Sequence, residues 1–356
     1  MVTTAAAWTP LELREVSVPN RVWLSPMCQY STDGSGVPTD WHLGHYISRA
    51  VGGAGLVMVE CTAIAPEMRT TGRDLGLWSD DQVPGHARLV DAIHSVGAVA
   101  AVQLGAAGRK SSHDVPWENR GQRSAVPPER GGWQPIAPST IPFADLAVPT
   151  EMADADAERV VEQFAAATRR AHAAGYDVVE LHGANGYLIH TFLSPLANLR
   201  GDRWGGALEN RMRFPLEVVA AVRAAWPDGK PLLVRMPAAD LLEGGLTTDE
   251  TTVYASRMAA AGVDMIDLAS GVLTHDAPRG DEPLHNARFG PQMRASGALV
   301  AASGLITEAA HLEAAVPDLV DAVLVGRAML RDPYWPLRAR GLEPRQSWPV
   351  QYHRAF

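Results

Sequence analysis

The sequence predicts a (β/α)8 barrel, an α/β fold with a short N-terminal hairpin and a long loop after the third strand. Three observations carry this. Short apolar runs rich in β-branched residues alternate with amphipathic helical stretches, these runs number eight, and polar residues stand at or beside the end of almost every run. Parallel strands require long, usually helical crossovers, so the alternation predicts a parallel sheet. Eight units in order predict that the sheet closes, and barrels of this size grow as one domain, here residues 1–356.

The strands are read in order at 21–27, 55–61, 98–104, 177–182, 232–236, 264–269, 298–303 and 322–326. Residues 152–174 exemplify the intervening helices: Asp154 and Asp156 suit the positive N-terminal end, and Gly175 follows the last turn. Ahead of the first strand, residues 14–20 read as a hairpin over the barrel floor, turning at Pro19-Asn20. Residues 108–149, rich in Pro, Gly and Trp, far exceed the roughly 2–6 residues of a usual βα connection and read as a lid over the site. Residues 347–356 form a C-terminal tail.

Composition narrows the function. A net charge of -9 argues against a nucleic-acid surface, which needs clustered Lys and Arg, and favours a small-molecule partner. No apolar run approaches the roughly 20 residues that span a bilayer, and residues 1–10 lack a basic and apolar leader, so no membrane contact and a cytoplasmic location are expected. Cys28 and Cys61 are the only cysteines, too few for a disulfide scaffold, a Cys-ligated zinc or an iron-sulfur cluster. No metal is expected, and redox chemistry would have to come from an organic cofactor.

In a barrel, the C-terminal strand ends converge on one site. Here they are Cys28, Cys61-Thr62, Gln103, His182 with Asn185, Arg235, Ser270-Gly271, Ser303-Gly304 and Gly326-Arg327. Ser303-Gly304 and Gly326-Arg327 close strands seven and eight, where barrels bind phosphate through backbone N–H groups and a cation. Ordinary glycine turns are the plain alternative. Arg235 is an expensive buried cation unless it meets an anion. A bound group could supply that anion, or an acidic neighbour such as Asp240. His182 and Asn185 each offer an N–H, and two donors converging on a carbonyl oxygen stabilise enolate-like charge. Tyr187 holds a phenolic proton at neutral pH and so can act as a general acid, against a plain packing role. For Cys28 the alternative is a small buried hydrophobe. Glu60, Glu180 and Asp267 are the acid and base that a barrel hydrolase would use, but they fall within strands rather than at their ends.

Several stretches, in order along nearly the whole chain, carry a resemblance. They are Ser25-Pro26-Met27-Cys28-Gln29-Tyr30, His45-Tyr46-Ile47-Ser48-Arg49-Ala50, Gln103-Leu104 with Gly108-Arg109-Lys110, Ile136-Ala137-Pro138-Ser139, His182 to His190, Phe192-Leu193-Ser194-Pro195, Gly205-Gly206 with Glu209-Asn210-Arg211, Gly326-Arg327 and Leu330-Arg331-Asp332-Pro333. The chain resembles the Old Yellow Enzyme family, in its cysteine-bearing, thermophilic-like branch.

That resemblance implies FMN as cofactor, NADPH or NADH as transient reductant, and reduction of the C=C bond of enones, enals or maleimides. The absence of a Gly-x-Gly-x-x-Gly fingerprint after the first strand fits a nicotinamide that visits without a dedicated domain. Carried over residue by residue, the cofactor would be held by Ser25, Pro26, Met27, Cys28, Cys61, Gln103, His182, Arg235, Ser303, Gly304, Gly326 and Arg327. The resemblance sets Arg235 near the flavin N1 and O2, Gln103 on its pyrimidine side, and the Cys28 thiol beside the ring. Tyr187 would be the proton donor, His182 and Asn185 the oxygen pair, and Tyr30 a second donor at the substrate. The branch often has His where Asn185 stands. Relatives commonly have a small residue at Cys61, leaving it either beside the flavin or merely packing. Barrel relatives that reduce dienoyl thioesters or oxidise amines add an iron-sulfur cluster and further domains that this chain lacks. The tail resembles an arm that reaches the neighbouring subunit's site, which implies a homodimer or dimer-based tetramer with Arg354 acting in trans.

Overall fold

Period-two alternation explains both the barrel and its contents. In the computed structural model, which describes residues 6–118, 121, 123–278 and 280–356, eight parallel strands close in chain order: β1 (Val22–Leu24), β2 (Leu56–Ala63), β3 (Val99–Gly105), β4 (Val178–His182), β5 (Leu232–Pro237), β6 (Met265–Ala269), β7 (Leu299–Ala302) and β8 (Ala322–Val325), with β8 pairing back to β1. The predicted (β/α)8 architecture is therefore present, although β1 stops at Leu24, well short of Met27.

Successive side chains of a strand face opposite ways. Leu56 and Met58 of β2, Val99 and Ala101 of β3, Leu233 of β5 and Met265 of β6 pack with Trp23 as one inner apolar cluster, sealed below by Leu11, Leu13 and Val18. The alternate residues, such as Val57, Val59, Val102, Val179 and Val234, join the larger layer between barrel and helices. Two positions further along the inner face, the residues become polar: Gln103, Glu180, Arg235 and Asp267. The barrel is thus oily at its floor and charged toward its C-terminal mouth.

The helices α1 (Asp40–Val51), α2 (Val83–His94), α3 (Asp154–Ala173), α4 (Leu208–Ala225), α5 (Thr248–Ala260), α6 (Gly290–Met293), α7 (Ala309–Ala315) and α8 (Arg327–Arg331) form the outer layer. Helix α3 matches its expected span within two residues, has Asp154 and Asp156 in its first turn, and is followed by Gly175 at φ 92°.

The hairpin is real but turns elsewhere. Leu11–Leu13 pairs with Val16–Val18 around Arg14-Glu15, with Arg14 at φ 51°. Pro19-Asn20 is not its turn: the Asn20 side chain accepts from the Val22 and Gly55 N–H groups and donates to the Gly53 carbonyl, tying the starts of β1 and β2 together. The long loop holds helical turns at Gly108–Lys110 and Pro128–Arg130, and a two-residue pairing of Ile136–Ala137 with Thr150–Glu151. Three residues of the expected lid, 119, 120 and 122, lie outside the described residues, as do residues 1–5 of the N-terminal segment. Among the described residues no helix is long and apolar enough to cross a membrane, and no group of acids, His and Cys could hold a metal.

Candidate active site

The mouth of the barrel has two unlike ends. At the first, a cavity of about 350 Å3 opens where β1, β5, β7 and β8 finish. Ser25, Pro26, Met27, Arg235, Ser303, Gly304, Gly326 and Arg327, all named from sequence, line it. His285 and Arg331 join them from elsewhere. Three arginines and no carboxylate among the described lining residues make this a cationic cavity suited to an anion. The backbone supports that reading. The α8 helix begins at Arg327, so its first N–H groups have no intrahelical acceptor. Glycine is required for close approach: a Cβ on Gly304, which sits at φ 140°, would meet the His285 ring at 3.0 Å.

Arg235 joins this cavity to the barrel interior. Its guanidinium donates to the hydroxyls of Ser303 at 2.8 Å and Ser25 at 3.3 Å, and lies 3.2 Å from Asp267. The acidic neighbour considered from sequence, Asp240, is instead committed to His190 and Ser194. Arg235 does meet a protein carboxylate, but the one beside it in register across β5 and β6. Its Nε is buried without a partner. Beside it, Gln103 donates to Glu180 at 2.7 Å. Burial pushes the Glu180 and Asp267 carboxyls up, and the Arg235 charge opposes this. A flavin ring system, with polar edge atoms and negative charge when reduced, fits these donors. A pair of hydrolytic carboxylates does not, because Asp267 is held against Arg235.

At the second end stand Cys28, Tyr30, Cys61, His182, Asn185 and Tyr187. The His182 and Tyr187 rings meet edge to face with centroids 4.5 Å apart. Burial, followed by the charges of Arg235, Lys110 and His190, holds His182 well below the usual imidazole range, so it is neutral. Its Nδ1 faces the Ala184 N–H at 3.4 Å, which leaves Nε2 as the proton-bearing donor. Burial raises the Tyr187 and Tyr30 phenols well above their usual value, with nearby Cys28 adding to it, while the Arg123 charge from the long loop opposes it. Burial also raises both thiols. Cys28 and Cys61 are free, with no disulfide between them. Both phenols and both thiols hold their protons at neutral pH.

A bulge in β2 decides which side chains face this end. The β2–β3 register shifts between Val59 and Thr62, and a bulge re-aims the side chains beyond it. Simple alternation puts Glu60 inside with Met58. Instead Glu60 turns to α1, accepts from the Tyr46 hydroxyl at 3.0 Å and from the Gln29 N–H at 2.6 Å, and lies 3.4 Å from His42. Cys61 takes the inward place, its Sγ filling the space where a Gly105 side chain would stand, close to His182. Glu60 therefore anchors the segment carrying Cys28 and Tyr30, and Tyr30 itself holds a left-handed φ of 49°. Burial raises the Glu60 carboxyl to about 8.

Sequence reasoning missed several of these groups. Lys110 is buried, donates to the Asn185 and Val272 carbonyls and lies 3.8 Å from the Phe143 ring centre. Glu60, Arg123, His285 and Arg331 were also not assigned to the site. The Gly-Arg-Lys stretch was the available signal, because buried cations such as Arg109 and Lys110 need partners. Arg354 is exposed. The tail folds back on its own chain: Trp348 stacks on Tyr334 at 5.5 Å and packs edge-on to Phe356. Another cavity, of about 640 Å3, is lined by this tail together with Asn20, Gly55 and Ala98 at the amino ends of β1 to β3. It lies away from the polar mouth, and chemistry is assigned to the mouth.

Residues 7–345 match the model of the NADH:flavin oxidoreductase / NADH oxidase family. The chain belongs to that family. It is 41% identical to an NADPH dehydrogenase of Geobacillus sp. (strain WCH70), over 98% of each chain. Among solved structures it is similar to morphinone reductase in complex with tetrahydroNAD, at 31% identity and TM-score 0.76 over 94% of this chain and 90% of that one. It is also similar to an Old Yellow Enzyme homologue from Zymomonas mobilis, at 25% identity and TM-score 0.77 over 94% and 92%. The chain is a flavin oxidoreductase of the Old Yellow Enzyme family, working with FMN and a nicotinamide reductant.

Proposed function

We propose that this FMN-dependent ene-reductase acts on enones, enals and maleimides, with Tyr187 as the proton donor. The chemistry supplied by bound FMN is hydride transfer, taken from NADPH or NADH and delivered to the β-carbon of the acceptor. Ser303, Gly304, Gly326 and Arg327 hold its phosphate. Arg235, Gln103 and Ser25 would hold its polar edge, Pro26 and Met27 would border it, and the Cys28 and Cys61 thiols would lie beside the ring. His182 Nε2 and the Asn185 amide grip the acceptor's carbonyl oxygen, where negative charge develops. Tyr187 gives its proton to the α-carbon, and Tyr30 borders the acceptor as a second donor. Residues 108–149 cover the site as a lid on a single domain. The observation that carries the reading is the contact of a neutral His182 with a fully protonated Tyr187.

The test uses holoenzyme without oxygen. NADPH should bleach the flavin colour, and an enone or maleimide should restore it. Bleached enzyme that stays colourless with every such acceptor would overturn the assignment. The reducing cytoplasm, which keeps Cys28 and Cys61 as thiols, is the location that suits the chain.

We further read the chain as a homodimer in which Arg354 reaches the partner's site. Its own tail packs by the amino ends of the strands, so only a neighbour could present it there. Chains ending after Gln346, mixed with full-length Tyr187→Phe subunits, should regain acceptor affinity at the truncated subunit's site. No recovery rules out the shared site.

A further inference from the structure

Among the elements the reaction does not use is a buried, acid-bound histidine directly behind the loop that carries the reacting groups. That loop follows an unusual course. Asn185 and Gly186 are consecutive left-handed residues, at φ 55° and 72°. Asn185 is not glycine, so this course needs support from outside. Glycine is forced at 186, where a Cβ would stand 2.9 Å from both the Val272 and Leu273 carbonyls and 3.0 Å from Lys110 Nζ.

We propose that His190 and Asp240 form a positioning pair for the acceptor site, acting through the backbone of Gly186 to aim Asn185 and Tyr187. The Gly186 N–H donates to His190 Nδ1 at 2.9 Å. An imidazole nitrogen that accepts carries no proton, so the ring's hydrogen sits on Nε2, which faces Asp240 Oδ1 at 2.8 Å. The other Asp240 oxygen accepts from the Ser194 hydroxyl at 2.6 Å and from the Leu246 N–H at 2.8 Å. Burial pushes the Asp240 carboxyl up, but these hydrogen bonds and His190 more than offset it, leaving it below its usual range. Asp240 therefore fixes which nitrogen of His190 accepts, and that nitrogen holds the residue between Asn185 and Tyr187. Lys110 completes the clamp from the other side through the Asn185 carbonyl.

Both members of the pair are fully buried, so neither touches substrate. His190 and Asp240 are positioning residues, and their effect should appear at the groups they aim. A small displacement of a reacting group costs up to about a hundredfold in rate.

The inference rests on the assignment of Tyr187 as proton donor, and a double-mutant cycle separates the two. In holoenzyme, His190→Leu should slow reoxidation of the reduced flavin by an enone about 10- to 100-fold, more than it slows reduction by NADPH. His190→Asn, whose amide oxygen can take the place of Nδ1, should recover most of that loss. Combined with Tyr187→Phe, His190→Leu should cost clearly less than it does in the parent, because the share of its effect that runs through Tyr187 is already lost. Losses that multiply, or no rescue by Asn, would overturn the positioning role. If Tyr187→Phe alone leaves reoxidation intact, the donor assignment fails instead. Phenol affinity then reports on the pair through Asn185, and it should still fall in His190→Leu. An unchanged affinity would sink the inference.

Discussion

The two ends of the barrel mouth hold their groups by opposite means. The proposed phosphate end is a cavity of about 350 Å3 lined by three arginines and by Gly304 and Gly326. It recognises a group by charge and backbone. The reacting end is crowded by two phenols, two thiols and a neutral imidazole, all kept uncharged by burial. Behind it stand Glu60, bonded to the segment of Cys28 and Tyr30, and Lys110 and His190, bonded to the backbone of Asn185 and Gly186. Holding a cofactor needs fixed charge, whereas giving a proton needs a neutral acid in a fixed place.

Predictions that break or sharpen this contrast run from large to small. Tyr187→Phe removes the proton but keeps the ring, so reoxidation of the reduced flavin by an enone should fall by about 10² to 10⁴, the usual worth of a general acid. Stopped-flow mixing of the reduced enzyme with an enone reads it. Replacing both His182 and Asn185 by Ala should weaken phenol binding by about a hundredfold or more, since two donors to an anionic oxygen are lost, each worth about 1.5–3 kcal/mol. Titration of the phenol charge-transfer band measures this, and an unchanged band would remove the oxygen pocket. Arg327→Ala should weaken FMN retention about tenfold on dialysis without changing the reaction of the flavin that remains.

Glu60→Gln should have the smallest effect, a change in pH dependence. Its carboxyl is raised from 4.5 to about 8, so between those values the folded state keeps a proton that the unfolded chain has released. Stability then falls as pH rises from about 4.5 to about 8. The variant should lose less Tm between pH 5.5 and 8 than the parent, and equal losses would show that Glu60 does not titrate in this range.

How far the site was legible depends on distance along the chain. Cys28, Gln103, His182, Ser303 and Gly326 could be placed at the mouth because strand order and polar run ends are local features. Arg235 could be identified as a buried cation, but its partner Asp267 is set by the β5–β6 register. Asp240 and His190 lie 50 residues apart, and no periodicity links them. The β2 bulge left no sequence signal, so Glu60 looked like an inward acid and Cys61 like the end of a strand that in fact runs on to Ala63. Arg14, left-handed without being glycine, gave no turn signal, whereas Pro19-Asn20 gave one that the chain uses to bridge strands.

The division between a holding end and a reacting end is tested most directly by supplying excess FMN. Reduced Arg327→Ala and Tyr187→Phe enzymes, each saturated with FMN and kept free of oxygen, are mixed with one enone, and flavin reoxidation is timed. The division predicts that Arg327→Ala reaches the parent rate while Tyr187→Phe stays slow by about a hundredfold or more. A Tyr187→Phe enzyme restored by FMN, or an Arg327→Ala enzyme that stays slow when saturated, would contradict it.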